Sequence, residues 1–331
     1  MIKTFRGGRI RCAILIVGLL GIAACTAAEY SDGISGFSQA VTTGANLGQP
    51  LATAAQQAAQ NEALRALVKN DSTKISISNG CKLPAVDDHP AEYHPGDCVL
   101  SIDDLKLNYA STISDMDSLT KYAAALSAVV ADQTCASLQT DARGLATAVG
   151  DIATMTKAPA AAAAAGPISQ IVAAAGCAAI NDVQLRILKA STDAANPSIQ
   201  ILVPLIAAKY NELYMTALTE AHTQLLSSMT DYLTAQNSYQ KSKSPLDLDK
   251  EKSSLTKAIS LAAAIDKAKS NPPGPVVLKV ATLHQNLTSD LKSPTVNLKR
   301  VLNDAQAFVT EAASVASAAD ALTKANSKVS K

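Results

Sequence analysis

Near the end of the chain, Val301, Ala305, Phe308, Ala312, Val315, Ala319 and Leu322 follow one another at alternating steps of four and three residues. An α-helix turns once in about 3.6 residues, so this spacing lines seven side chains along one face. Such a seam must be buried against other helices, and the alternate alanines let neighbouring backbones approach closely. The seam is expected to pack within the chain, with a self-associating coiled coil as the other outcome. Composition says the same of the rest. In 331 residues there is no Trp, and only three Phe and eight Tyr occur, yet 48% of the chain is hydrophobic. Its core must therefore be built from Ala, Leu, Val and Ile, which suits closely packed helices.

The same periodicity recurs upstream. Apolar and Ala positions keep helical spacing over residues 37–68, with an interruption near Gly48 and Pro50. Asp103 and Asp104 are candidate caps for a helical region reaching Lys157 in two pieces, with Leu138, Ala142, Leu145, Val149 and Ile152 on one stripe. An Ala-rich connector over residues 158–167 ends at Gly166 and Pro167, and helical spacing resumes from Ile168 to Ala194. Asn196 and Pro197 predict a turn or kink, because proline removes a backbone donor and clashes with the preceding turn. A long helix to Tyr239 follows, its apolar stripe drawn through Ile199, Leu202, Ile206, Leu213, Ala217, Ala221, Leu225, Met229 and Tyr232. At 1.5 Å per residue, about 40 residues make a rod of about 60 Å. Pro245 and the run NPPGP at 271–275 separate shorter helices over 247–269 and 276–291, and Pro294 is expected to start the last one.

Residues 71–102 differ in kind. KISIS at 74–78 alternates like a strand, CVLSI at 98–102 is β-prone, and prolines and charges lie between them. The expected architecture is all-α: an elongated bundle of about six or seven helices forming one main domain over 37–331, with a small disulfide-bearing loop or hairpin inserted at 71–102.

The first 24 residues have another origin. Lys3, Arg6, Arg9 and Arg11 precede the apolar run CAILIVGLLGI, which is too short for a comfortable membrane span, and small residues follow it. Ile22, Ala23, Ala24 and Cys25 resemble the lipobox of bacterial lipoproteins, an aliphatic residue and two small ones before a cysteine. The resemblance covers residues 1–25 only. It implies a signal peptide over 1–24, cleavage before Cys25, diacylglycerol on the Cys25 thiol, acylation such as palmitate on the new amino terminus, and a lipidated polar tether over 25–36. Two or three acyl chains anchor a protein stably where one does not. Thr26 stands where an Asp marks inner-membrane retention in related lipoproteins, so the implied address is the outer membrane, facing the periplasm or the cell surface.

Cysteine use fits an oxidising compartment. With Cys12 removed and Cys25 lipidated, the even set Cys81, Cys98, Cys135 and Cys177 remains, and three pairings are open. Cys81 with Cys98 and Cys135 with Cys177 are favoured, the first closing the polar excursion and the second linking successive helices. The four basic residues of the signal also account for the formal charge of +1; without them 25 basic residues face 28 acidic ones, about −3. No strong charge is left to attract nucleic acid.

Little in the sequence points to catalysis. Asp87, Asp88, His89, Glu92, His94 and Asp97 cluster in the insertion, but their spacing fits neither a helical zinc hydrolase nor a calcium loop. A solvated polar loop is the favoured reading. His222 and His284 sit in expected helices without a nucleophile in any motif context. No catalytic, cofactor-binding or metal-ligating residue is assigned. The expected function is a non-enzymatic, membrane-anchored envelope lipoprotein that presents a helical surface to a protein partner, as adaptor or structural component. The alternative is a binding module holding an apolar or cell-wall ligand between its helices.

Overall fold

The computed structural model describes residues 30–70, 76–77, 100–101, 110–131, 134–157, 168, 170–171 and 180–327. These are overwhelmingly helical: α1 (30–46), α2 (Gly48–Asn70), α3 (Ala110–Ala131), α4 (Cys135–Met155), α5 (Ile180–Ser242), α6 (Pro245–Lys269), α7 (Pro273–Lys292) and α8 (Lys299–Ser327). A two-residue antiparallel ladder, β1 (Ser76–Ile77) with β2 (Leu100–Ser101), sets Ser76 opposite Ser101 and Ile77 opposite Leu100. The signal segment, Cys25, Cys81, Cys98, Cys177, the histidine-carboxylate cluster at 87–97 and the Ala-rich connector lie outside the described residues. None of the described helices is long and apolar enough to cross a membrane.

The chain divides into two compact units interleaved in sequence. Unit 1 takes the described residues up to Gly48, those of Ala110–Asn211, and Pro272–Val315; unit 2 takes those of Gln49–Tyr109, Glu212–Asn271, and those from Ala316 onward. Helices α5 and α8 thus contribute to both.

Unit 1 has the larger core. The α4 stripe Leu138, Ala142, Leu145, Val149 and Ile152 is buried. Each large aliphatic side chain in it contributes about 1.5–3 kcal/mol relative to exposure, an upper figure. Thr134 caps α4 by accepting the Ser137 amide at 3.3 Å, and Lys157, in the left-handed region at φ 52°, closes it. The terminal seam is fully buried, with Val301 to Val315 in unit 1 and Ala319 and Leu322 in unit 2.

Three expectations are corrected here. Helix α1 is already formed at residue 30, inside the expected tether over 25–36, because Tyr30, Ile34, Phe37 and Val41 continue a four-three-four spacing and are all buried. Gly33, read as part of that tether, is where α1 meets the chain entering α8: a Cβ there would lie 2.2 Å from Leu298 Cβ. Second, α5 runs unbroken past Pro197 and Pro204. Both prolines are exposed, and the carbonyls that they leave without an intrahelical donor, those of Asp193 and Gln200, lie on the same solvent side. Water can satisfy them, so the helix need not end. Third, α8 begins at Lys299 rather than at Pro294, since Asn297 Oδ1 accepts the Lys299 amide at 3.0 Å and caps the helix there.

Candidate functional site

The site that stands out lies in unit 2, on the outer face of α5. From Leu213 through Ala217 and Ala221 the buried side is as expected, but it then passes to Gln224, Ser228 and Ala235. Leu225 is half-buried and Met229 is 41% exposed. The expected stripe drifted because it ran by fours. Each step of four overshoots the helical turn by about 40°, so four of them carry Met229 about 160° away from Leu213.

The opposite face is therefore apolar and bare. Met215, Leu226, Met229 and Leu233 are 48%, 70%, 41% and 51% exposed. With Thr219 and half-exposed His222 they fall at steps of four and three, a second heptad seam that nothing in unit 2 covers among the described residues. The signal was legible in the sequence as two apolar phases on one helix.

At its N-terminal end this seam runs into a surface pocket of about 440 Å³ between α2 and α5, lined by Ala58, Glu62 and Arg65 on one side and by Glu212, Met215, Thr216, Thr219, Glu220 and Thr223 on the other. Arg65 forms a two-pronged ion pair with Glu220, whose side chain is only 4% exposed. That bond, more than any other influence, holds the guanidinium pKa above its ordinary value. Gln224 Nε2 also donates to Glu220 Oε1 at 2.7 Å. Arg65 is anchored to the wall and presents its outer side to solvent.

Behind the pocket the interior of unit 2 is polar. Asn61 Nδ2 donates to the Asn326 carbonyl at 3.0 Å, and Asn326 Nδ2 donates to the Ala217 carbonyl at 3.3 Å. Gln224 Oε1, Ser228 Oγ and Asn326 Oδ1 are buried and accept no protein hydrogen bond. Buried polar atoms of this kind cost stability, and unit 1 carries three as well, at Ser127, Ser191 and Ser198.

His284, a sequence candidate, belongs to a different setting in unit 1. It is completely buried; Tyr122 Oη lies 2.8 Å from Nε2, and Asn196 Oδ1 lies 3.0 Å from Nδ1. Asn196 Oδ1 only accepts and takes a second bond from Gln200, so the imidazole proton sits on Nδ1 and the tyrosine donates to Nε2. Burial lowers the His284 pKa to about 3 and raises that of Tyr122 well above its ordinary value. A neutral imidazole, fully buried and held on both sides, serves packing. Cys135 opens α4. Among the described residues, no group of three or more His, Cys, Asp and Glu is arranged to hold a metal ion. No protein-family model matches the chain, and neither a curated protein nor a solved structure does so.

Proposed function

We propose that this chain is a non-enzymatic, lipid-anchored envelope protein that offers the outer face of α5 in unit 2 to a protein partner. The observation that carries the reading is the bare heptad seam of Met215, Leu226, Met229 and Leu233, since soluble proteins seldom leave an ordered apolar line uncovered without an interaction to use it. The lipobox-like residues Ile22 to Cys25 supply the anchor, and the pairs Cys81–Cys98 and Cys135–Cys177 the covalent pins of an oxidising compartment. The rival reading, an apolar ligand held among the helices, draws no support from a pocket lined by three carboxylates and a guanidinium.

The test has two arms in the same cells. Radiolabelled palmitate is expected on the wild-type chain and not on Cys25→Ser. A photo-crosslinking residue at Leu233 is expected to yield a discrete adduct that the same probe at Gln306, exposed on α8, does not. An unlabelled wild-type chain would remove the anchor from the reading, and the absence of any adduct specific to Leu233 would remove the partner.

A further inference from the structure

The reading above leaves the partner's identity open, and the pattern around the α5 face points to it. We infer that the occupant of this face is a second copy of the same chain, its own α5 laid antiparallel along Leu226, Met229 and Leu233, with the lipid anchor bringing the two copies together. The inference rests on the proposed anchored, partner-binding role and deepens it by naming the partner.

Charge is the first argument. In a helix pair the residues that flank the seam set partner choice through their charges. Here the seam continues past Leu233 through Gln236 and Gln240, and one flank carries Thr216, Thr223, Thr230 and Asn237. The other carries Leu218, Leu225, Tyr232 and Tyr239. Neither flank holds a formal charge. Between residues 213 and 240 the carboxylates are Glu220, buried on Arg65, and Asp231, which lies about 140° to 160° round the helix from Leu226 and Met229, and there is no Lys or Arg. A face without charge has nothing with which to select a basic or an acidic helix, and nothing that repels its own copy.

Symmetry is the second. A pairing that opposes the two helix dipoles sets Leu226 against Met229 of the copy and Met229 against its Leu226. The same two-fold relation sets His222 against Leu233, Thr219 against Gln236 and Met215 against Gln240, each pair being equally far from the centre of the seam. The apolar pair thus falls in the middle, and the outer two pairs each include a glutamine amide. An apolar centre with a polar rim is the usual anatomy of a protein interface.

Size is the third. From Met215 to Gln240 the strip is about 38 Å long and, at the width of one helix, about 10 Å wide. Two copies joined along it bury on the order of 800 Å² together, short of the roughly 1,200 Å² at which stable interfaces begin. Free chains in dilute solution would separate. Chains held by Cys25 in one leaflet meet at a far higher effective concentration, so a contact too small for solution suffices on a membrane.

Two full-length versions with different epitope tags after Lys331 are co-expressed, each carrying a benzophenone side chain at Leu233. Ultraviolet light is expected to give an adduct of twice the chain mass that carries both tags and is joined near His222. Cys25→Ser in both copies should lower its yield at least five-fold. Leu226→Glu with Met229→Glu in both copies should lower it at least ten-fold, as should Leu226→Lys with Met229→Lys, both sites being exposed. Co-expressing the acidic double variant with the basic one should restore at least half of the yield, which a fault in folding could not do. An adduct between one tag and a different protein overturns the inference and leaves the partner-binding role in place. A both-tag adduct joined elsewhere, a yield that survives Cys25→Ser, or no rescue by the mixed pair overturns the inference as well. The absence of any Leu233 adduct removes the inference and the partner together.

Discussion

Unit 1 and unit 2 treat apolar surface in opposite ways. Unit 1 buries Phe37, Tyr122, Leu145 and Phe308 completely, and its buried histidine has a partner at each ring nitrogen. Both units bury polar side chains, Gln184, Ser191, Thr192, Ser198 and Thr288 together with that histidine in unit 1 and Asn61, Glu220, Gln224, Ser228 and Asn326 in unit 2, so the contrast lies in the apolar residues that each leaves outside. Of the eleven large apolar residues exposed among the described ones, only Ile201, Leu205 and Leu278 belong to unit 1, and the other eight belong to unit 2. A chain can lower its energy by putting its polar strip outside and its leucines inside. Unit 2 keeps the reverse arrangement on α5, so its outer face is better explained by an interaction than by folding.

The comparison is tested most severely by core truncation in unit 1. Phe308→Ala is expected to cost about 3–5 kcal/mol in urea unfolding, the range for removing a buried ring from a core that cannot collapse around the gap. A loss below about 1 kcal/mol would mean that unit 1 is as loosely held as unit 2.

The next effect is tied to pH. His284 is neutral in the folded chain down to about pH 3, whereas the unfolded chain takes up that proton below about pH 6.5. Its folded pKa is depressed, so the contribution to stability is whole above about pH 6.5 and drains away as pH falls toward 3. Within that window one proton favours the unfolded state, a slope of about 1.4 kcal/mol per pH unit. Urea midpoints taken at intervals from pH 7 to 4 should show this slope, and His284→Gln should reduce it by that amount. An unchanged slope in the variant would show that His284 is protonated in the folded chain.

These contrasts also mark what the sequence could and could not reveal. The heptad seam of α8 and the α4 stripe were plain, because their alternating steps leave no choice of phase. The breaks at Pro245 and at residues 271–275 were plain too, since two or more breakers coincide there. Pro197 misled because a proline ends a helix only when its freed carbonyl cannot reach water, and that depends on which way the face turns. Gly33 and Gly36 disguised the start of α1, their flexibility hiding a close approach to Leu298 and Leu302. The exposed face of α5 is hidden in the sequence for a simpler reason: Met229 and Leu225 are apolar, but their helical phase sets them off the buried side.

Smaller effects belong to the pocket wall. Arg65→Ala removes a side chain that is 43% exposed but strips Glu220 of its ion pair while leaving it buried, and Gln224 remains as a donor. The expected loss is about 1–3 kcal/mol, set by the uncompensated carboxylate rather than by the lost contact. Arg65→Ala with Glu220→Leu should recover most of it, since an apolar side chain in that position has no charge to desolvate. If the double variant is no more stable than the single one, Glu220 is reached by water and the wall is softer than its burial indicates.

The smallest effect on stability is expected where the effect on function is greatest. Leu226→Ser exchanges a side chain that is 70% exposed, so little apolar area leaves or enters water and the unfolding midpoint should move by less than about 0.5 kcal/mol. The Leu233 crosslink, one heptad further along the same seam, should nevertheless weaken several-fold. Folding and binding make opposite demands here: serine relieves the unbound chain of an exposed apolar side chain and deprives the complex of a buried one. Stability unchanged and crosslinking lost separates the two. A marked destabilisation by Leu226→Ser would instead show that this leucine is covered within the chain, and with it the difference between the two units would disappear.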